Sequence, residues 1–219
     1  MNGKLWLDSA NTSSGGAPVS SSRSASTAHA KAFARSYLRR RRTHNPPRQA
    51  AAQGFERTLA PLWQALPAGS TLAAFLPLPT EPPLLPALTQ AVAEGCRVLV
   101  PVVRPRRQLA WVEWQPQAEH TINALDIVEP VGERHGSEAF IQADLRLVPA
   151  LAYDLAGRRL GQGGGYYDRL FEQLGPLAQD PSTVGVVFER EILDGLPADS
   201  WDARLRFVAT EKTLHHLGN

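Results

Sequence analysis

Residues 145–174 read LRLVPALAYDLAGRRLGQGGGYYDRLFEQL. Leu145 to Leu151 is an apolar run of strand length, and Tyr167, Leu170, Phe171 and Leu174 recur at helical spacing. Between them lie Arg159 and glycines at 161, 163, 164 and 165. A buried strand, a glycine-rich loop and an apolar-striped helix form one unit of an open α/β sheet. Such sheets bind ligands outside the carboxyl ends of their strands. Glycines let the backbone approach an anion and turn several N–H groups toward it. A helix N-terminus adds partial positive charge. The loop is not a P-loop, since no Gly-Lys-Ser/Thr follows. Nor is it a dinucleotide fingerprint, because Tyr166 stands where the third glycine belongs. Arg159 offers a bidentate phosphate donor, and Asp168 offers a hard oxygen ligand for a divalent cation. Tyr166 and Tyr167 offer rings that stack on a flat ligand, although Tyr167 shares the apolar stripe and also suits the core. The stretch reads as a nucleotide–metal site, against the plainer alternative of a glycine turn into a helix.

Outward from this unit, strands alternate with helices. Thr71–Leu76 reads as a strand, Pro77–Pro83 as a loop, Leu84–Glu94 as a helix stopped by Gly95, and Arg97–Val103 as a strand. A strand around Leu109 and Trp111, then Thr183–Phe188 and Leu205–Ala209, bring the sheet to about six strands. The expected fold is a single three-layer α/β/α domain with a mostly parallel sheet, over residues 28–219. Residues 1–27 are rich in Ser, Ala, Gly and Thr and read as a disordered extension. A first helix is expected from Ser26 or Thr27 to about Arg42. A second carries Phe55, Leu59 and Trp63, with Pro61 predicting a kink or split near residue 57.

The 219 residues are 43% apolar, and no run is long enough to span a bilayer. Cys96 stands alone, which excludes an internal disulfide. It reads as a small core residue rather than a nucleophile. No secretory signal is evident, and a cytoplasmic location is expected. From Lys31 to Arg48 there are seven basic residues and no acid, whereas the chain from residue 49 onward has 14 basic and 20 acidic residues. Arg39–Arg42 read as a solvated helix end rather than a nucleic-acid patch, because aromatics among them are sparse. His215 and His216 read as a frayed C-terminus.

The run Leu147–Leu170, with its order strand, proline, Tyr153-Asp154, Gly157, Arg159-Leu160-Gly161, glycines, Tyr166-Tyr167-Asp168, resembles the signature of the 5-formyltetrahydrofolate cyclo-ligase family. The resemblance runs from about residue 30 to 211. It takes in Lys31 and Arg35 as Lys-x-x-x-Arg, Phe75-Leu76 with Glu81, and Glu129-Pro130. It continues through Val184-Gly185, Leu196-Pro197, Asp202 and Ala209-Thr210-Glu211. The fold it implies is related to those of phosphosugar isomerases and CoA transferases.

The activity it implies is conversion of 5-formyltetrahydrofolate to 5,10-methenyltetrahydrofolate with ATP and Mg2+, releasing ADP and phosphate. Roles carry over by position. Lys31, Arg35, Arg159, Gly161, Gly163, Gly164, Gly165, Tyr166 and Tyr167 would meet ATP, with Arg159 and Tyr167 at the reacting centre. Arg35, Leu76, Glu81, Gln162, Gly163, Gly164, Gly165 and Tyr166 would border the folate. Asp168 and Asp202 would hold Mg2+. The substrate extends to polyglutamylated forms, a monomer is expected, and neither nucleic acid nor membrane is an expected partner. A non-catalytic folate- or RNA-binding relative is the alternative, as is another enzyme on a similar sheet. Three departures stand out: Trp201 where many members have His, Leu84 where they have Thr, and Glu191 where they have Gln.

Overall fold

The computed structural model describes residues 19–45, 49–124, 126–199 and 202–218. Its main sheet has seven strands: β1 (Thr71–Ala73), β2 (Arg97–Arg104), β3 (Gln108–Glu113), β6 (Leu145–Pro149), β9 (Thr183–Val186), β11 (Phe207–Ala209) and β12 (Leu214–His216), in the order β12-β11-β9-β6-β1-β2-β3. The five inner strands are parallel, with Thr71 opposite Arg97, Leu72 opposite Leu145, Leu147 opposite Val184, and Val186 opposite Ala209. The two edge strands β3 and β12 are antiparallel to their neighbours. Two smaller sheets complete the fold. One is the hairpin β4 (His120–Ile122) with β5 (Val128–Pro130). The other is β10 (Ile192–Leu193), β7 (Ala152–Asp154) and β8 (Arg159–Leu160).

Strand periodicity of two divides the core between the faces of the main sheet. Leu72, Val98, Leu147 and Val184 pack with Phe55, Leu59 and Trp63 of α2 (Gln49–Gln64) and Leu88 of α3 (Leu85–Ala93). Their sequence neighbours Ala73, Leu99 and Val148 face the opposite layer. There they meet Phe140 of α4 (Ser137–Ile141) and Leu170, Phe171 and Leu174 of α5 (Tyr166–Leu174). Three layers follow, as the sequence pattern implies. A third cluster joins Ala34 and Leu38 of α1 (Val19–His44) to Leu151, Ala152, Leu160 and Leu196. It sets α1 across the small β10-β7-β8 sheet.

Several expectations are corrected. Helix α1 begins at Val19, so residues 19–27 are helical, and residues 1–18 lie outside the described residues. Pro61 does not split α2: Leu59 and Trp63, both buried, anchor the helix on either side of the missing N–H. The chain end is not frayed. The ring of His216 stacks on Phe207 at 4.9 Å, and His215 Nε2 lies 2.9 Å from Glu189 Oε2, which fastens β12 as the seventh strand. Cys96 is half-buried against the α2–α3 core, and burial raises its thiol above the ordinary value, away from nucleophile chemistry.

Candidate active site

Three parallel strands deliver residues to one cavity of about 320 Å3, a size that suits a small ligand. Phe75 and Leu76 follow β1, Pro101 and Val103 belong to β2, and Pro149 ends β6. Glu81 and the run Gly161–Asp168, with Arg159, complete the wall. Two buried carboxylates line this largely apolar space, and they differ in use. Glu129 Oε1 accepts from the Val103 N–H and from Asn123 Nδ2, both at 2.6 Å, which ties the β4–β5 hairpin to β2. Glu81 Oε2 accepts from the Leu78 N–H at 3.1 Å, and its Oε1 accepts from Gln162 Nε2 at 3.1 Å. Glu81 thus faces the glycine loop directly.

The strand before the loop is not the one the sequence suggested. β6 ends at Pro149, and the hairpin β7–β8 intervenes before Gly161. Buried Asp154 staples that hairpin: its Oδ1 accepts from the N–H groups of Ala156 and Arg158, and its Oδ2 from the Leu196 N–H. The loop then needs glycine for two reasons. Gly163 (φ +95°) and Gly165 (φ +74°) are left-handed. At Gly161 a Cβ would fall 2.6 Å from Arg159 Nη1, and at Gly164 it would fall 2.8 Å from the Tyr166 ring.

Arg159 is fixed in place. Its guanidinium lies 5.8 Å from the ring centre of Tyr167 and 5.2 Å from that of Phe171, and Nη2 donates to Asp168 Oδ1. Asp168 remains open to solvent, with 69% of its side chain exposed against 7% for Arg159. The Tyr167 hydroxyl is buried without a hydrogen bond among the described residues, and burial pushes the phenol well above its ordinary value. Its ring forms part of the wall that holds Arg159.

Helix α1 supplies a row of cations. Lys31, Arg35, Arg39 and Arg42 are spaced by four, four and three residues, so they share one helix face. Lys31 Nζ donates to Asp199 Oδ2 at 2.7 Å and to Asp202 Oδ2 at 2.6 Å. Arg35 Nε donates to the Gly161 carbonyl at 3.1 Å. Arg39 donates to the side-chain and main-chain oxygens of Gln162. Arg42 is 1% exposed and paired with Glu191, also 1% exposed. The reading of Arg39–Arg42 as a solvated helix end holds for exposed Arg39 and Arg40, although Arg39 also bonds Gln162, and is corrected at Arg42, which is buried against Glu191. Glu191, which stands where many family members have Gln, is paired with Arg42 inside the protein. Burial alone would lower the Lys31 ammonium, but its hydrogen bonds to Asp199 and Asp202 outweigh this and raise it. Arg35 is lowered, chiefly by burial, against a raising contribution from Asp168.

Not all expected residues meet in one cavity. Leu76, Glu81, Gln162, the glycines, Tyr166, Tyr167, Arg159 and Asp168 line it. Lys31, Arg35 and Asp202 stand outside its lining, joined to it through α1. Leu84 is fully buried in the α2–α3 core rather than in the cavity wall, so its departure is a packing change. Trp201 lies outside the described residues. Asp199, Arg39, Arg42 and Glu191 are site neighbours that the sequence reading missed. The spacing of Arg39 and Arg42 from Arg35 was the available signal.

As carboxylates, Asp168 and Asp202 are the donor type that Mg2+ takes. Among the described residues no group of three or more His, Cys, Asp or Glu side chains could hold a metal, so the protein alone offers no cage. Mg2+ ordinarily takes one or two carboxylates and completes its shell with water and phosphate oxygens. The two carboxylates are partnered by Arg159 and Lys31, side-chain types that suit phosphate. The donor set therefore suits an ion that arrives with a polyphosphate.

A cationic helix face above a glycine loop, beside a cavity with a buried carboxylate, defines an α/β enzyme site for an anion and a flat, donor-bearing ligand. Residues 28–211 match the model of the 5-formyltetrahydrofolate cyclo-ligase family, and the chain belongs to that family. It is 35% identical over 151 residues to the 5-formyltetrahydrofolate cyclo-ligase of Mycolicibacterium smegmatis, covering 66% of this chain and 75% of that one. It is 32% identical over 142 residues to the enzyme of that name from Escherichia coli, covering 64% and 77%. The solved 5,10-methenyltetrahydrofolate synthetase of Aquifex aeolicus superposes with a TM-score of 0.65 at 27% identity, over 86% of this chain and 93% of that one. The synthetase of Mycoplasma pneumoniae, at 19% identity and a TM-score of 0.63 over 83% and 99%, shares the fold. The chain is an enzyme of the cyclo-ligase class.

Proposed function

We propose that this chain closes 5-formyltetrahydrofolate to 5,10-methenyltetrahydrofolate at the cost of one ATP, in a Mg2+-dependent reaction. The observation that carries the reading is the convergence of Glu81, the 161–168 loop and the α1 cations at the ends of the parallel strands. Glu81 would accept the paired N–H groups of the pterin's aminopyrimidinone edge, a task for a carboxylate with two oxygens. Leu76, Arg35 and Gln162–Tyr166 would border the rest of the folate. Lys31, Arg35, Arg159 and the glycine N–H groups would bind the ATP phosphates. Asp168 and Asp202 would hold Mg2+, whose charge would offset that of the phosphates.

The formyl group is an amide, and its oxygen leaves poorly. Transfer of the γ-phosphoryl to that oxygen turns it into a leaving group. The second folate nitrogen then attacks the formyl carbon, the ring closes, and phosphate departs. The protein's part is to hold the formyl oxygen in line with the γ-phosphorus and to stabilise transferred charge. Arg159, held between two rings, is pre-aimed for the second task. No protein nucleophile is needed. We read the enzyme as a monomer acting in the cytoplasm without nucleic acid. No helix among the described residues is long and apolar enough to cross a membrane. Polyglutamylated substrates fit the same reading. A second cavity of about 690 Å3 shares Leu109 and Tyr166 with the first; four arginines, Arg104, Arg107, Arg134 and Arg169, outnumber Glu138 and Glu172 in its lining and would face a chain of carboxylates.

The test is spectrophotometric. Mixing the protein with 5-formyltetrahydrofolate and Mg-ATP is expected to raise the methenyltetrahydrofolate absorbance, with no rise when ATP is omitted. Well-folded protein that neither turns over nor binds folate would refute the reading.

A further inference from the structure

Behind Glu81 stands a buried ion pair that the catalytic scheme leaves unused. Arg42 Nε donates to Glu191 Oε1 at 2.8 Å, and Nη2 donates to Glu191 Oε2 and to the Ala150 carbonyl, both at 2.7 Å. Glu191 Oε2 accepts a further bond from the Phe188 N–H at 3.1 Å. This fork holds the guanidinium in one plane. It leaves Nη1 buried, without a hydrogen bond among the described residues, and 3.9 Å from Glu81 Oε1. An apolar pair of the same volume is often as stable as a buried ion pair, or more so. Packing alone therefore does not account for Arg42.

The charge balance points to a use. Arg42 cancels Glu191, and Glu81 adds a further negative charge to the same buried cluster. Among the described residues that charge accepts hydrogen bonds from one side-chain donor, Gln162, and one N–H, that of Leu78. At 3.9 Å, Nη1 attracts Oε1 without occupying its lone pairs. We propose that Arg42, clamped by Glu191, is a positioning residue for Glu81: it keeps that carboxylate aimed at the cavity with hydrogen-bonding capacity left for a ligand. The inference rests on the reading of Glu81 as the pterin acceptor. Arg42 touches no reacting atom. Its effect passes through Glu81 to the folate and bypasses the nucleotide.

The test separates that effect from a structural one. Arg42→Leu/Glu191→Leu removes both charges together, so neither is stranded. The expected result is a thermal midpoint close to wild type, a KM for 5-formyltetrahydrofolate raised about tenfold, and a KM for ATP within about twofold. A folate KM within about twofold of wild type would overturn the inference, as would equal rises in both KM values. Arg42→Lys keeps the cation and loses the fork, and serves if the double variant does not fold. It should raise the folate KM about threefold and leave that for ATP, and no change would again overturn the inference. Glu81→Gln keeps the two failures apart. If it leaves the folate KM unchanged, the pterin role of Glu81 falls and the inference with it. If it raises that KM while the Arg42 variants do not, only the inference falls.

Discussion

The molecule is held together in two different ways. The sheet and the helices on its faces form a frame of uncharged side chains, many with no exposure, such as Phe55, Leu72, Leu88 and Leu147. At the carboxyl ends of the strands, by contrast, order comes from charge. Lys31 is shared by Asp199 and Asp202, Arg159 by Asp168 and two rings, and Arg42 by Glu191 and Glu81. Apolar contacts are non-directional and numerous, so the frame is insensitive to where any one atom lies. Ion pairs are few and directional, and Lys31, Asp202, Arg159, Asp168 and Glu81 among their members are also candidate partners for phosphate, metal or folate. The frame should therefore govern stability, and the charged end should govern turnover.

Mutations can break that division. The largest stability effect is expected in the frame: Phe55→Ala should cost about 3–5 kcal/mol through lost burial and a cavity, lowering the thermal midpoint by on the order of 10 °C. Calorimetry would show it, and the folded fraction should keep its KM values. Arg35→Ala should do the reverse. It removes a cation that bonds the Gly161 carbonyl and lies under Gly163, so the KM values for ATP and folate should rise about tenfold while the midpoint barely moves. A large fall in midpoint would show that the charged end also carries the fold.

The smallest effect concerns the edge strand. Burial raises the Glu189 carboxyl, but hydrogen bonds from Thr210 and His215 outweigh this and hold it below its ordinary 4.5. Its contribution to stability is present above about pH 4.5 and is lost as the pH falls through the lowered folded-state value. Glu189→Gln should leave the midpoint little changed at acid pH and lower it slightly at neutral pH. Midpoints measured against pH for the two proteins would show the curves converging as the pH falls through the lowered Glu189 value.

The two regions also differed in how far the sequence revealed them. Period-two strands and the stripe Tyr167, Leu170, Phe171 and Leu174 disclosed the layers, because hydrophobic patterning is local. The βα unit around Gly161–Gly165 disclosed the loop, although the β7–β8 hairpin within it passed unnoticed, its strands being three and two residues long. The partners of charged groups were harder to read. Arg42 and Glu191 are separated by 149 positions, and nothing local marks either as buried. Glu191 showed in the sequence only as a departure from the family's Gln, with no sign of its counterion. His215 and His216 read as a loose end because a three-residue edge strand has almost no pattern of its own.

Asp168→Ala tests the division most directly, with turnover of 5-formyltetrahydrofolate and the thermal midpoint measured on the same sample. The carboxylate is exposed and bears on no core contact, so the midpoint should stay within a few degrees of wild type while turnover falls by about a thousandfold or more. Turnover retained at the wild-type level, or lost only together with the fold, would contradict the account.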